Sequence, residues 1–313
     1  MTLTELKYIV AVARHRHFGH AAEACFVAQP TLSVAIKKLE DELGVILFER
    51  GGSEITTTEV GVRIVAQAEH VLEQTAALRE IAKQNNDPLT GIFRLGVIYT
   101  IGPYLLPTLV KGMIKHAPKM PLVLQENFTA RLLELLRQGE LDAAIVALPL
   151  PDNGFMTLPI YNEPFVVAVP AHHHWSERKG IDAAELKTET MLLLGNGHCF
   201  RDQVLEVCPE MGRFATSDDG IARTFEGSSL ETIRHMVASG IGITVLPRAS
   251  APNPKSADGM LHHIPFNAPV PSRQVALIWR KSFTRGAAIA ALQQVILHCN
   301  LPGVVMLPDA VTT

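Results

Sequence analysis

Residues 18–48 read FGHAAEACFVAQPTLSVAIKKLEDELGVILF. Phe18, Ala21, Ala22 and Cys25 fall on one face of a short helix. The pattern breaks at Val27-Ala28-Gln29, and Pro30 suits the first turn of a second helix, where a missing N–H loses no hydrogen bond. Leu32, Ile36, Leu39 and Leu43 then recur at steps of four, three and four, which makes one apolar stripe. The other face carries Gln29, Thr31, Ser33, Lys37 and Lys38, and Gly44 stops the helix. Two β-like runs, Ile46–Arg50 and Ile55–Thr57, flank the turn Gly51-Gly52-Ser53. Two helices joined by a short turn and followed by such a hairpin predict an all-α, winged helix-turn-helix unit of the kind that reads DNA.

Net charge is −3 over 313 residues, so no global positive field marks a nucleic-acid binder, and any DNA contact rests on a local surface. The signs do separate along the second helix. Lys37 and Lys38 lie nearer its start and Glu40-Asp41-Glu42 at its far end, and groove-reading helices present their N-terminal part to base edges. A long helix is expected over 58–86. Ile64, Val71 and Leu78 repeat every seven residues there, and Val65 and Leu72 widen the seam. That spacing favours pairing with a partner helix. Asn85-Asn86-Asp87-Pro88 ends it and marks a boundary.

Beyond Pro88 strands are expected at 93–98, 122–126, 142–147, 165–169, 191–194, 241–246 and 275–279, with helices at 104–116, 130–138, 229–238 and 286–299. Such alternation predicts an α/β effector region of two Rossmann-like subdomains, periplasmic-binding-protein-like, with a ligand cleft at the strand ends. The expected division is 1–57, winged helix-turn-helix; 58–88, linker and dimerisation helix; 89–163 with 268–303, regulatory subdomain I; and 164–267, regulatory subdomain II. The N-terminal residues lack a basic segment leading into an apolar one, and no apolar run reaches the roughly 18 residues of a membrane span. The expected compartment is therefore the cytoplasm, with no membrane partner and with thiols kept reduced.

Cys199 and Cys208 lie in the stretch 197–208, GHCFRDQVLEVC, and are two of only four cysteines. In a helical 199–208 their Cα atoms would stand about 13 Å apart on opposite sides, whereas a disulfide needs them within roughly 7 Å. Bridging requires unwinding and would pull Val204, Leu205 or Val207 from their packing. The pair reads either as a bistable element or as two inert core thiols. A zinc site needs about four ligands. Cys199, Cys208 and His198 offer three at unsuitable spacing, so neither metal nor cofactor is expected. Cys199 is the better attacking thiol, being surrounded by His198, Arg201 and Asp202, while Cys208 follows Leu205 and Val207. Asp202 could brace the local loop by hydrogen bonding. Cys25 and Cys299 read as core thiols, and His172-His173-His174 beside Trp175 as a solvated loop.

These motifs resemble a known family. Phe18, Ala21-Ala22-Glu23, Gln29-Pro30-Thr31-Leu32-Ser33, Ile36-Lys37-Lys38-Leu39-Glu40, Leu43-Gly44, Leu47-Phe48-Glu49-Arg50 and Thr57-Thr58-Glu59-Val60-Gly61 resemble the DNA-binding half of the LysR-type transcriptional regulators. Gly197–Gln203, Cys208, Ser229–Arg234 and Gly240–Pro247 resemble the OxyR branch of that family, its hydrogen-peroxide sensors. The resemblance implies DNA contacts from Gln29, Pro30, Thr31, Ser33, Lys37, Lys38 and Arg50. It implies a peroxidatic Cys199, a resolving Cys208, a reversible disulfide between them, and a shell of Thr100, Thr129, His198 and Arg273. It implies control of antioxidant genes of the catalase and alkyl hydroperoxide reductase class, and a homotetramer built from paired linker helices and paired effector domains. RNA polymerase and a thiol reductant of the glutaredoxin or thioredoxin type are the further partners implied. Gly195-Asn196, the segment 209–226 and the tail after Cys299 depart from the relatives' pattern and bear on sensitivity rather than on class.

Two other functions compete. A thiol peroxidase that turns over has no use for a helix-turn-helix, and a metabolite-binding regulator has no use for the cysteine pair. The sequence therefore predicts a peroxide-switched transcription factor that binds double-stranded promoter DNA, not an enzyme.

Overall fold

The computed structural model describes residues 1–49, 55–83, 87–150, 154–208, 224–227, 229–251 and 260–307. Arg50, the turn Gly51-Gly52-Ser53 and most of the segment 209–226 lie outside the described residues. The chain divides into two compact units near residues 85 and 86.

The first unit runs through α1 (Leu3–His15), α2 (Phe18–Ala24), α3 (Gln29–Leu43), the antiparallel pair β1 (Phe48–Glu49) and β2 (Thr56–Thr57), and α4 (Glu59–Lys83). A capping box starts α1: the Thr2 hydroxyl accepts the Glu5 N–H at 3.2 Å, and the Glu5 carboxylate accepts the Thr2 N–H at 2.7 Å. α3 ends at Gly44, whose φ of +68° is the left-handed conformation that glycine adopts without a Cβ clash. Leu32, Ile36 and Leu39 are fully buried against Ile9, Val12, Ala21, Leu47 and Phe48. Leu43, expected to complete the stripe, is instead exposed; it is the last helical residue, and the chain leaves the core there.

The seven-residue seam of α4 has a second role within its own unit. Ile64, Val65, Val71 and Leu72 pack half-buried against this same core, together with buried Ala68, because α4 lies along α1. Over two turns, a seven-residue repeat coincides with the i, i+4, i+7 spacing of a helix packed on one neighbour. Leu78, at 66% exposure, has the character expected of a partner-facing position.

In the second unit β3 (Phe93–Ile98) pairs in parallel with β4 (Leu122–Asn127) and β5 (Ala143–Ala147). β11 (Ser272–Arg280) runs antiparallel to β5 and to β6 (Phe155–Pro170). α5 (Gly102–His116), α6 (Thr129–Gln138) and α9 (Gly286–Leu297) close a first core around Leu95, Leu105, Leu132, Ile145, Leu277 and Leu292. Beyond Pro164, β6 pairs with β9 (Thr244–Pro247) and β10 (Leu261–Pro265). β7 (Met191–Leu194) pairs in parallel with β8 (Thr224–Gly227) and is bridged to Ile243. α7 (Cys199–Val207) and α8 (Leu230–Ala238) complete a second core around Phe165, Val167, Leu192, Phe200, Ile233 and Val245. The architecture is therefore the expected one: a winged helix-turn-helix, a long helix, and two α/β halves.

β6 is far longer than the strand expected at 165–169. Pro159 and Pro164 mask it in the sequence. Pro159 sits where the register with β11 shifts between Val275 and Ala276, and an irregular position of this kind tolerates a residue without an N–H. No helix among the described residues is long and apolar enough to cross a membrane.

Candidate functional site

The turn into α7 depends on Gly197, whose φ of +94° is a conformation that residues with a Cβ rarely adopt. His198 occupies the N-cap position and Cys199 the first helical one. Phe200, Val204 and Cys208 recur every four residues and form the inward stripe, buried in the second core. Leu205 and Val207 pack half-buried beside them. Phe200 meets Phe165 edge-on at 5.0 Å and is the main anchor of α7, a role that the sequence reading left out although the spacing signals it. Burying each of these apolar side chains stabilises the helix by roughly 2 kcal/mol. Cys199 is half-buried and leans on the first core, whereas Cys208 is buried in the second. Both are free thiols, and an intact helix holds their Cα atoms about 13 Å apart along its axis.

Arg273 on β11 is fully buried. Its Nε donates to Glu163 Oε2 at 2.8 Å, and its Nη2 stands at ion-pair distance, 2.8 Å, from the same oxygen. Its Nη1 donates to Thr100 Oγ1 at 2.7 Å and its Nη2 to the Thr100 carbonyl at 3.1 Å. The guanidinium carbon lies 5.2 Å from the centre of the Phe200 ring. Burial works most strongly against the Arg273 charge, but Glu163, Tyr161 and Cys199 together more than offset it, and the guanidinium is held above its usual pKa. Because Thr100 Oγ1 accepts from Arg273, its own O–H is left to donate elsewhere.

Thr129 begins α6, and its buried Oγ1 makes no hydrogen bond among the described residues. An orphan of this kind is unfavourable by about 1–3 kcal/mol and calls for a reason. His198 is buried between Phe128 at 4.7 Å and Tyr99 at 5.9 Å, ring centre to ring centre. Thr100 and His198 line one cavity of about 330 Å³ with Tyr99, Tyr104, Glu126, Phe128 and Glu231. The structure thus joins Arg273 directly to Thr100 and seats His198 in the same cavity. Asp202 stands apart. It is exposed in the first turn of α7 and makes no side-chain hydrogen bond among the described residues, so the expected loop brace is not formed. Its charge there complements the helix N-terminus. Glu163, which carries no motif, was missed.

On the candidate DNA face, Gln29, Pro30 and Thr31 are exposed at the start of α3, Ser33 is half-buried and Lys37 is exposed. Lys38 is exposed and lies 3.9 Å from Glu5 of α1. Glu40 proves structural: its Oε1 accepts the N–H groups of Leu47 at 2.7 Å and Phe48 at 3.2 Å, clipping α3 to the wing. Cys25 is half-buried and Cys299 buried, and desolvation raises both thiol pKa values. The histidine loop is not uniformly solvated. His173 keeps only 14% side-chain exposure; its Nδ1 accepts the Trp175 N–H at 3.2 Å and its Nε2 faces Glu189 at 3.4 Å. His174 Nε2 lies 3.5 Å from the same carboxylate. These atoms cluster within 4.8 Å. However, an accepting Nδ1 keeps the proton on Nε2, which makes a hydrogen bond to Glu189 rather than an open ligand position.

Residues 3–62 match the bacterial regulatory helix-turn-helix model of the lysR family, and residues 86–298 match the LysR substrate binding domain. The chain belongs to the LysR family of bacterial transcriptional regulators, and it is a DNA-binding regulator, not an enzyme. Within that family it groups with the OxyR proteins. It is 41% identical over 280 residues, 90% of each chain, to the hydrogen peroxide-inducible genes activator of Pectobacterium carotovorum subsp. carotovorum. A Cys-to-Asp variant of full-length OxyR from Pseudomonas aeruginosa superposes with a TM-score of 0.72 at 49% identity, over 99% of this chain and 98% of that one. A reduced form of OxyR from N. meningitidis superposes with a TM-score of 0.64 at 42% identity, over 69% of this chain and 99% of that one.

Proposed function

We propose that the protein senses hydrogen peroxide through Cys199 and answers by remodelling α7. The observation that carries this is the placement of two free thiols at opposite ends of one helix, each against a different core. A Cys199 thiolate at the helix N-terminus attacks one peroxide oxygen. The O–O bond breaks, hydroxide leaves and takes a proton to become water, and Cys199 becomes a sulfenic acid. The Thr100 and Thr129 hydroxyls are the donors for the peroxide oxygens as charge develops, with Arg273 orienting Thr100 and His198 walling the pocket. The Cys208 thiolate then attacks the sulfenic sulfur, a second water leaves, and a disulfide forms. An intact α7 cannot accommodate that bond, so Val204 and Cys208 leave the second core. A dithiol reductant of the glutaredoxin or thioredoxin type returns the helix.

On this reading residues 1–57 bind double-stranded promoter DNA through Gln29, Pro30, Thr31, Ser33, Lys37, Lys38 and Arg50. Residues 58–88 link and pair protomers. Residues 89–163 with 268–303 form one regulatory subdomain, and 164–267 form the other. The working form is a cytoplasmic homotetramer that engages RNA polymerase at antioxidant promoters, those of catalase and alkyl hydroperoxide reductase type. Footprinting such a promoter with reduced and peroxide-treated protein tests the reading. The expected result is a footprint that changes on oxidation in wild type and not in Cys199→Ser. An identical footprint in both redox states of wild type would refute it.

A further inference from the structure

Glu163 on β6 and Arg273 on β11 are direct cross-strand partners, and both are almost fully buried. The Glu163 carboxylate is held from two sides. Oε1 accepts the Ala249 N–H at 2.9 Å, and Oε2 accepts the Arg273 Nε–H at 2.8 Å and is ion-paired with Nη2. The guanidinium is planar and its fork is rigid. With Nε committed to Glu163, the Nη1 and Nη2 donors at the other edge of the fork are directed at Thr100 Oγ1 and the Thr100 carbonyl. Phe200, the neighbour of Cys199, lies over the same guanidinium.

We propose that Glu163 is a positioning residue for the reaction of Cys199 with peroxide: anchored by Ala249, it fixes the fork of Arg273 and through it the donor orientation of the Thr100 hydroxyl. The inference rests on the peroxide chemistry proposed for Cys199. Glu163 and Arg273 cancel one another's charge, so the pair adds little net field at the sulfur. Geometry is what it supplies.

That separates two readouts. Glu163→Gln can still accept from Arg273, but its amide NH₂ then meets the Ala249 N–H donor to donor, and the anchor is lost. The Arg273 charge becomes less balanced, which favours a thiolate at Cys199. Glu163→Asp keeps the charge but, one methylene shorter, cannot hold Ala249 and Arg273 together; it guards against Glu163→Gln failing to fold. In the reduced full-length protein, stopped-flow oxidation by hydrogen peroxide and alkylation of Cys199 by iodoacetamide are measured side by side. The peroxide rate should fall at least about five-fold in Glu163→Asp, and further in any folded Glu163→Gln, as expected when a donor is misplaced. Alkylation should be unchanged in Glu163→Asp and no slower in Glu163→Gln. A smaller fall in Glu163→Asp, or alkylation and peroxide rates dropping by the same factor, would overturn the assignment. If wild-type Cys199 itself ignores peroxide, the proposed function fails along with it; if wild type reacts and the variants match it, only the role of Glu163 fails.

Discussion

Cys199 and Cys208 terminate the same helix yet pack into different hydrophobic cores, Cys199 against the first and Cys208 inside the second. The two substitutions should therefore differ. Cys199→Ser should give no oxidation product in this segment. Cys208→Ser should convert Cys199 to sulfenic acid at a near-normal rate and then over-oxidise, since no partner captures the intermediate. Mass spectrometry after a brief peroxide pulse decides. Sulfenic acid on Cys208 in the Cys199→Ser variant would reverse the roles.

The orphan hydroxyl of Thr129 opposes stability to function. Thr129→Val should hold or raise the urea midpoint, because a buried unsatisfied group worth about 1 kcal/mol is removed. It should also slow Cys199 oxidation at least about ten-fold. Arg273→Ala should slow it too, and should lower stability by leaving Glu163 buried without its partner. Wild-type rates in both would take these groups out of the reaction.

Lys37 projects from α3 into solvent. Lys37→Ala should weaken promoter binding and reduce the slope of log K against log salt by about 1. Titration by fluorescence anisotropy at several salt concentrations reads both, and an unchanged slope removes Lys37 from the phosphate contacts.

Val71 and Leu78 of α4 should separate in sedimentation and thermal melting. Leu78 is exposed, so Leu78→Asp should shift the oligomer toward smaller species with little change in melting of the first unit. Val71 packs within its own chain, so Val71→Asp should lower that melting temperature whatever the assembly does. Native assembly in Leu78→Asp would show that this position meets no partner.

His263 on β10 is pushed down to about 4 from 6.5, first by burial and then by Arg234 and Arg248. The unfolded chain therefore takes up this proton before the folded one does. Its contribution to stability is complete above pH 6.5 and is lost as pH falls toward 4. Denaturation midpoints across that window should decline less steeply in His263→Gln; parallel curves would assign the acid sensitivity to other groups.

The helix-turn-helix was legible because apolar spacing and a stop glycine encode it locally; Leu32, Ile36 and Leu39 are buried as the stripe requires. The misreadings come from ambiguity and from partners distant in sequence. Ile64 and Val71 satisfy a coiled-coil repeat and an intrachain stripe equally well, and the packing on α1 is invisible to that spacing. Pro159 and Pro164 conceal a strand whose continuity depends on β11, more than a hundred residues later. In the site, Cys199, Cys208 and His198 advertise themselves by type. Glu163 does not: its meaning comes from standing opposite Arg273, a pairing that belongs to sheet register and not to any local pattern.

β6 lends Ile160 and Tyr161 to one core and Phe165 and Val167 to the other without a break. Melting either core would strip ladder bonds from the ribbon that props up the other. The effector half should therefore denature as a single cooperative block, since the two cores share one ribbon.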